Sequence, residues 1–461
     1  MPDNNARPPK KTAFRWIVLG LLFVIYTIAN ADRANIGFAL PYIQKEFELS
    51  NTMAGLLVSL FFAGYAGMQI PSGFFLRKVG VTRGFALGML LTSVATFFMG
   101  FVQHWLPLKI LRTLVGVFEA PVAIGSTTTI NSWFPSKEKG TAAGIFLASS
   151  KLGPLIVPPF CAWVIMNFTW RHIFIFCAIP GLIMAVVWFF MVRDNPSSSR
   201  YVNEAEADYI REKDLDKSKA SGEGAKELPV FKLCWLDKII RTRKVALLTD
   251  SKQVWRCWDI YGAAFGYFFM VGTVGVLMAW LPKYLLNERH LEIMTSAIMA
   301  ASPFLGTVIG NLIGGWLSDN VLQKRRKPLM LVSSLSTIVT MQLLIHAPES
   351  TEVLAFLLFT TGLLLSLGYS AFMVYPMGRA DKATYPVAFS VVNMGGQLGG
   401  MCMPFIVGVL LDLFNWGAVF LGLSIGAMLC LVFVLSIVEP LPSGVRVVDS
   451  QGNNVDPETM S

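Results

Sequence analysis

The sequence predicts an all-α polytopic membrane protein, with twelve transmembrane helices in two pseudo-symmetric bundles of six. Three observations predict it. Of 461 residues, 54% are apolar and only 15% charged, whereas a soluble domain carries about 25% charged residues. The apolar residues gather into twelve runs of the roughly 20 helical residues needed to cross a bilayer core of about 30 Å. One long charged stretch, 193–255, divides these runs six and six. Disorder is excluded by an aromatic content of 12% and a mean hydropathy of +0.57.

The runs fall at about 16–38, 52–76, 82–102, 105–127, 138–166 and 171–192, then 256–286, 292–318, 328–347, 351–374, 383–411 and 415–438. Proline occurs inside several of them, as bilayer helices tolerate. Orientation follows from lysine and arginine, which concentrate on the cytoplasmic side. With both termini inside, the short inner segments hold Arg7, Lys10, Lys11 and Arg15, then Arg77, Lys78 and Arg83, then Lys137 and Lys139. Lys324 to Lys327, Arg379, Lys382 and Arg446 continue the series, while the outer loops hold only Lys45, Arg171, Lys283 and Arg289. The net charge of +9 is therefore a membrane-topology signal, and no nucleic-acid partner is expected.

The expected organisation is a cytoplasmic tail (1–15), a six-helix bundle (16–192), a cytoplasmic linker (193–255), a second bundle (256–438) and a cytoplasmic tail (439–461). The halves echo each other. After the second run comes Gly73-Phe-Phe-Leu-Arg77-Lys78; after the eighth comes Gly315-Trp-Leu-Ser-Asp319-Asn320. In each, a glycine precedes a charged loop by one helical turn, which suits close helix approach and charge pairing at a gate. Paired halves with paired loops suit alternating access around a midplane site. Twelve runs, the six-plus-six split and these loops resemble the major facilitator superfamily over nearly the whole chain. The family's usual acid in the first loop is Arg77 here; Asp319 keeps the acid in the second.

Charges inside the runs carry the function. An ionisable residue at a span centre costs about 2.5–3.5 kcal/mol on insertion scales. The first run closes on Asn30-Ala-Asp32-Arg33-Ala-Asn35, and the fourth contains Arg112 and Glu119. Seven residues make about two helical turns, so Arg112 and Glu119 share a face. One reading makes these structural pairs that tie helices together. The other lets a cation meet an anionic substrate while an acid takes up a proton, because a buried carboxylate holds its proton more tightly and a nearby cation opposes this.

Asp32-Arg33-Ala-Asn35-Ile, Arg112-x6-Glu119-Ala-Pro121, Trp133-Phe-Pro135 and Lys137-Glu-Lys-Gly140 together resemble the anion:cation symporter family, particularly bacterial D-galactonate and hexuronate permeases. The linker tract Glu204-Ala-Glu-Ala-Asp-Tyr209-Ile210 is similar to its sugar-acid branch. The resemblance implies that Arg33 holds the substrate carboxylate, that Asp32 and Glu119 take up protons, and that Arg112 partners Glu119. It also places Tyr65 and Asn393 against substrate. Two positions depart from galactonate-like members: Asn30 stands where a tyrosine is common, and Ser150 replaces a glutamine. The next residue, Lys151, either takes a second anionic group of the substrate or pairs with a neighbouring helix. Tyr375 and Gln397 are polar groups able to point inward. Gly306, Gly310 and Gly314 have the spacing of close helix packing, and Gly395 to Gly400 suit either a hinge or packing.

No catalytic grouping occurs. His104, His172, His290 and His346 lack metal-ligand spacing, the six cysteines form no C-x-x-C pair, and no phosphate-binding loop is present. No enzyme activity, cofactor or metal is expected. The expected protein is a monomeric, multi-pass importer in a bacterial inner membrane, moving a small organic anion such as a hexonate or hexuronate by proton symport. Sodium coupling, facilitated diffusion, efflux antiport (suggested by Gly153-Pro154) and a dicarboxylate substrate use the same residues differently.

Overall fold

The computed structural model describes residues 12–135, 138–210, 230–232, 235–346, 349–381, 384–441 and 446–448. Arg7, Lys10, Lys11, Lys137, Lys382 and linker residues 211–229 lie outside the described residues. Among the described residues, twelve long helices form: α1 (Phe14–Phe47), α2 (Asn51–Val79), α3 (Val81–Met99), α4 (Trp105–Trp133), α5 (Lys139–Asn167) and α6 (Trp170–Met191) come first. After the linker follow α7 (Trp258–Lys283), α8 (Ile293–Trp316), α9 (Lys327–Ile345), α10 (Thr351–Leu367), α11 (Tyr385–Leu413) and α12 (Trp416–Ser436). Among the described residues, eleven of these are apolar enough to cross a membrane on composition alone. The exception is α4, whose Lys109, Arg112 and Glu119 lower its hydropathy. The in-membrane charges are shared between α4, with Arg112 and Glu119, and α1, with Asp32 and Arg33.

Two compact units result. The first comprises Met1–Asn35, Ala63–Val157 and Asn167–Ala225. The α3 helix packs on α4 and α6, with Gly88 under the Phe118 carbonyl and Gly181 against Ser93. At the start of α1, Arg15 holds two acids: Glu138 at 2.8 Å and Glu206, from the linker, at 2.9 Å. Tyr209 donates to Glu138 at 2.9 Å. Burial acts to raise Glu206, but donors from Thr12, Arg15 and the N–H of Phe14 hold it below the usual carboxylate value. Asp194, at the start of the linker, accepts from the N–H of Thr82 at 2.6 Å, so an acid does serve the turn between α2 and α3, although not from position 77.

The second unit comprises Ile36–Phe62, Pro158–Met166 and Lys226–Ser461. Its α8 and α10 helices meet backbone to backbone: Gly306, Gly310 and Gly314 lie against the carbonyls of Phe359, Leu363 and Leu367. Gly395 and Gly399 likewise lie against the carbonyls of Ala264 and Phe268 on α7, which resolves the glycine-rich stretch of α11 as packing. Within this unit, the α1–α2 turn is pinned to α7 and α11. Lys283 donates to Gln44 at 2.6 Å and to Asn51, while Asp412 accepts the N–H groups of Asn51 and Thr52, both at 2.8 Å.

At the other end of the unit, Arg325 grips Asp237 from the linker at 2.7 Å. Lys327 donates to the carbonyls of Ile240, Leu435 and Ile437. Burial pushes Glu439 up to about 7, although it accepts from the N–H groups of Arg326 and Lys327. Asp319 pairs with Arg326 at 2.8 Å. The expectation of close approach at Gly73 and Gly315 is corrected: a Cβ added at either meets no described atom within 4 Å.

Any side chain at Gly310 would enter the Leu363 backbone, which cannot yield as a flexible side chain can. Gly310→Leu is expected to lower the melting temperature in detergent by the equivalent of about 1–3 kcal/mol, read by tryptophan fluorescence against Gly315→Leu, whose site is open and whose melting should barely move.

Candidate functional site

The charged cluster forms inside the first unit, on α1, α2 and α4. Two glycines let these helices close on it. Gly64 lies against the Thr113 carbonyl of α4, which brings Tyr65 beside α4, and Gly153 lies against Thr27 and Ala31 of α1. The efflux-like Gly153-Pro154 element is therefore accounted for by packing of α5 on α1.

Arg33 and Glu119 form the central ion pair, with Nε and Nη2 of the guanidinium both 2.7 Å from Oε1. The guanidinium also stacks on the Tyr65 ring, 4.7 Å from its centroid, a geometry that attracts a cation to the ring face. Glu119 and Tyr65 are buried. Arg112 lies near enough to Glu119 for their charges to interact, and it also bonds to the α1 main chain. Arg112 is buried and donates to the main-chain carbonyls of Asp32 at 3.0 Å and Arg33 at 3.4 Å. Two turns of α4 separate positions 112 and 119 by about 10 Å, so each side chain meets a different level of α1. Arg112 positions the α1 backbone; Arg33 neutralises Glu119.

Asp32 turns elsewhere. It is 1% exposed, and its Oδ1 accepts from Asn35 at 3.2 Å. Among the described residues, Oδ2 of Asp32 and Oε2 of Glu119 are buried without hydrogen-bond partners. Each titratable acid thus keeps one oxygen uncommitted. Asn30 donates to the Tyr26 carbonyl at 2.8 Å, an ordinary helix back-bond. Ser150 does the same with Leu147 at 2.7 Å. Lys151 is half-buried on α5. Ser149 and Gly153 face α1, so Lys151 lies about 200° around the helix from that contact.

The remaining sequence candidates belong to the second unit. Asn393 is half-buried, and Oε1 of Gln397 is buried without a partner among the described residues. Tyr375 is corrected: its ring is fully buried in an apolar cluster and its hydroxyl donates to the Val438 carbonyl, so it clamps the chain after α12. Missed in the sequence was the hydroxyl stripe Thr92, Ser93 and Thr96 on α3, every one buried. Its spacing along one helix face was the available signal. Among the described residues, no group of histidine, cysteine or acidic side chains is arranged to hold a metal.

Long apolar helices that bury a cluster of charges in the first unit define a membrane protein. The sequence matches the Major Facilitator Superfamily over residues 22–382 and 263–457, and the chain belongs to that family. It is 27% identical to a D-galactonate transporter of Escherichia coli, covering 93% of this chain and 96% of that one. It is 27% identical to a probable galactarate/D-glucarate transporter of Escherichia coli, covering 94% and 97%. A probable sulfoacetate transporter of Cupriavidus necator is 27% identical over 86% and 87%. Among solved structures, an inward-facing bacterial homologue of the human lysosomal transporter Spinster superposes with a TM-score of 0.71 at 17% identity, covering 93% and 96%. A D-xylose–proton symporter gives 0.71 at 14%, covering 92% and 98%.

Removing one member of a buried ion pair strands the other charge. Arg33→Met is expected to cost about 3–5 kcal/mol of stability, and adding Glu119→Met should return most of it. Thermal melts of the two single variants and the double variant in detergent measure both terms.

Proposed function

We propose that the protein imports a sugar acid of the hexonate or hexarate kind by proton symport, with alternating access, across a bacterial inner membrane. Both termini lie in the cytoplasm, a monomer suffices, and the bundles 16–192 and 256–438 are the bodies that move about the 193–255 linker. The observation that carries this reading is the Arg33–Glu119 pair, in which a buried guanidinium that suits a carboxylate is occupied by a titratable acid.

Charge balance gives the coupling. Asp32 and Glu119 cancel Arg33 and Arg112, so the substrate-free cluster is neutral. A substrate carboxylate arriving at Arg33 competes with Glu119 and brings surplus negative charge into a low-dielectric site, where it is costly. A proton on Glu119 removes that surplus and releases Arg33 to the substrate. When proton and substrate leave on the far side, Glu119 reclaims Arg33. Tyr65 holds the guanidinium in place through both halves of the cycle, and Asn393 and Gln397 supply hydroxyl contacts from α11.

Lys151 adds a second cation, which suits a substrate with two anionic groups. Two of the three named relatives support this, since galactarate, glucarate and sulfoacetate each carry two, whereas galactonate carries one.

Two uptake experiments test these roles in proteoliposomes loaded with labelled acids. Glu119→Gln is expected to retain exchange of external for internal galactarate while losing accumulation driven by an inward proton gradient; undiminished accumulation removes Glu119 from coupling. Lys151→Gln should weaken galactarate uptake about tenfold, the worth of about 1.4 kcal/mol, and leave galactonate nearly unaffected. Equal, unchanged uptake of both acids excludes the second-cation role.

A further inference from the structure

Asp32 and Arg33 adjoin in sequence but project about 100° apart around α1. Arg33 meets α2 and α4, whereas the Asp32 carboxyl lies among side chains of α3 and α6. Thr96 of α3 is within reach of it, and Cys177 of α6 stands close to both Asp32 and Asn35. Thr96 belongs to the stripe Thr92, Ser93 and Thr96, each no more than 1% exposed. Ser93 faces Gly181 of α6, so the stripe lines the seam between these helices.

Several hydroxyls in the other spans bond to a carbonyl one turn back, although Ser59 and Ser72 of α2 and Ser366 of α10 are buried and, among the described residues, without a partner. Thr113 donates to Lys109, Ser126 to Val122, Thr307 to Pro303, Ser334 to Met330 and Thr361 to Leu357. The α3 stripe does not do this. Its three hydroxyl oxygens, Oδ2 of Asp32 and Oδ1 of Asn35 are all buried and, among the described residues, have no hydrogen-bond partner. An unmet buried polar group costs about 1–3 kcal/mol, and such groups are ordinarily satisfied by each other or by ordered water. Four such oxygens on α3 and α1, together with the uncommitted oxygen of the Asp32 carboxyl, concentrate unmet polar groups along this seam.

We propose that Thr92, Ser93 and Thr96, with water bound among them, form a hydroxyl relay that exchanges the proton of Asp32 on the side of α1 turned away from Arg33. Protonated water in the seam passes its proton to Oδ2 as the Thr96 hydroxyl reorients; the reverse step restores the carboxylate. The charged and titratable groups facing Asp32 are Arg112 and Glu119 on α4, Cys177 on α6 and Arg33 on α1. The two acids then divide the work: Glu119 responds to substrate through Arg33, and Asp32 communicates with solvent by its own route. Thr96 is a positioning residue in this scheme, which rests on the proton-symport reading above.

Thr96→Val keeps the side-chain shape and removes the hydroxyl. In proteoliposomes with labelled galactarate, it should leave counterflow exchange within about twofold and reduce proton-driven accumulation about tenfold, with Thr96→Ser restoring it. Exchange and accumulation falling together, or accumulation unchanged, overturns the relay. If the unaltered protein accumulates galactarate without regard to the proton gradient, the symport reading fails first and takes the relay with it. An infrared measurement needs no substrate. The carboxyl band lost in Asp32→Asn should shift in Thr96→Val and stay in place in Thr113→Val, whose hydroxyl already serves Lys109; a band unmoved by Thr96→Val also overturns the proposal.

Discussion

The buried pair of Arg33 with Glu119 is the interaction on which the rest of the molecule depends. Neither charge is tolerable alone in the membrane interior, and the pair is held by elements that serve it. Gly64 admits Tyr65 to the face of the guanidinium, and Arg112 fixes the carbonyls on either side of the Asp32–Arg33 peptide link. The charges that α1 and α4 carry inside their apolar runs follow from the same requirement.

Much of this was legible from the residues. Apolar run length gave the helix count because every backbone group in a bilayer must be satisfied within its own helix, leaving the span little freedom. The spacing of Gly306, Gly310 and Gly314 announced the backbone contact with α10 because only a missing Cβ admits a carbonyl so near. Partner choice was less legible. Arg112 and Glu119 share a face, but two turns of separation hand one to the α1 carbonyls and the other to Arg33. Periodicity reports direction around a helix and says little about which neighbour stands at each level.

Tyr375 shows a second limit. A polar side chain in an apolar run looks the same whether it awaits a solute or a carbonyl, and here the carbonyl belongs to Val438, far along the chain. The described parts of the linker are tied down twice, Glu206 to Arg15 and Asp237 to Arg325. The basic clusters that sequence reads as topology signals thus also act as docking points for the connecting chain.

The turn at Asn51 has a consequence for the work of opening. The α2 helix begins without an acidic residue in its first turn, and its leading N–H groups are satisfied by Asp412, which sits at the far end of α11. A helix that borrows its cap from another strand of the fold cannot drift away gradually. Parting α2 from α11 uncaps it, at about 1 kcal/mol or more, so the bonds that Asp412 makes to Asn51 and Thr52 are kept or lost as a set.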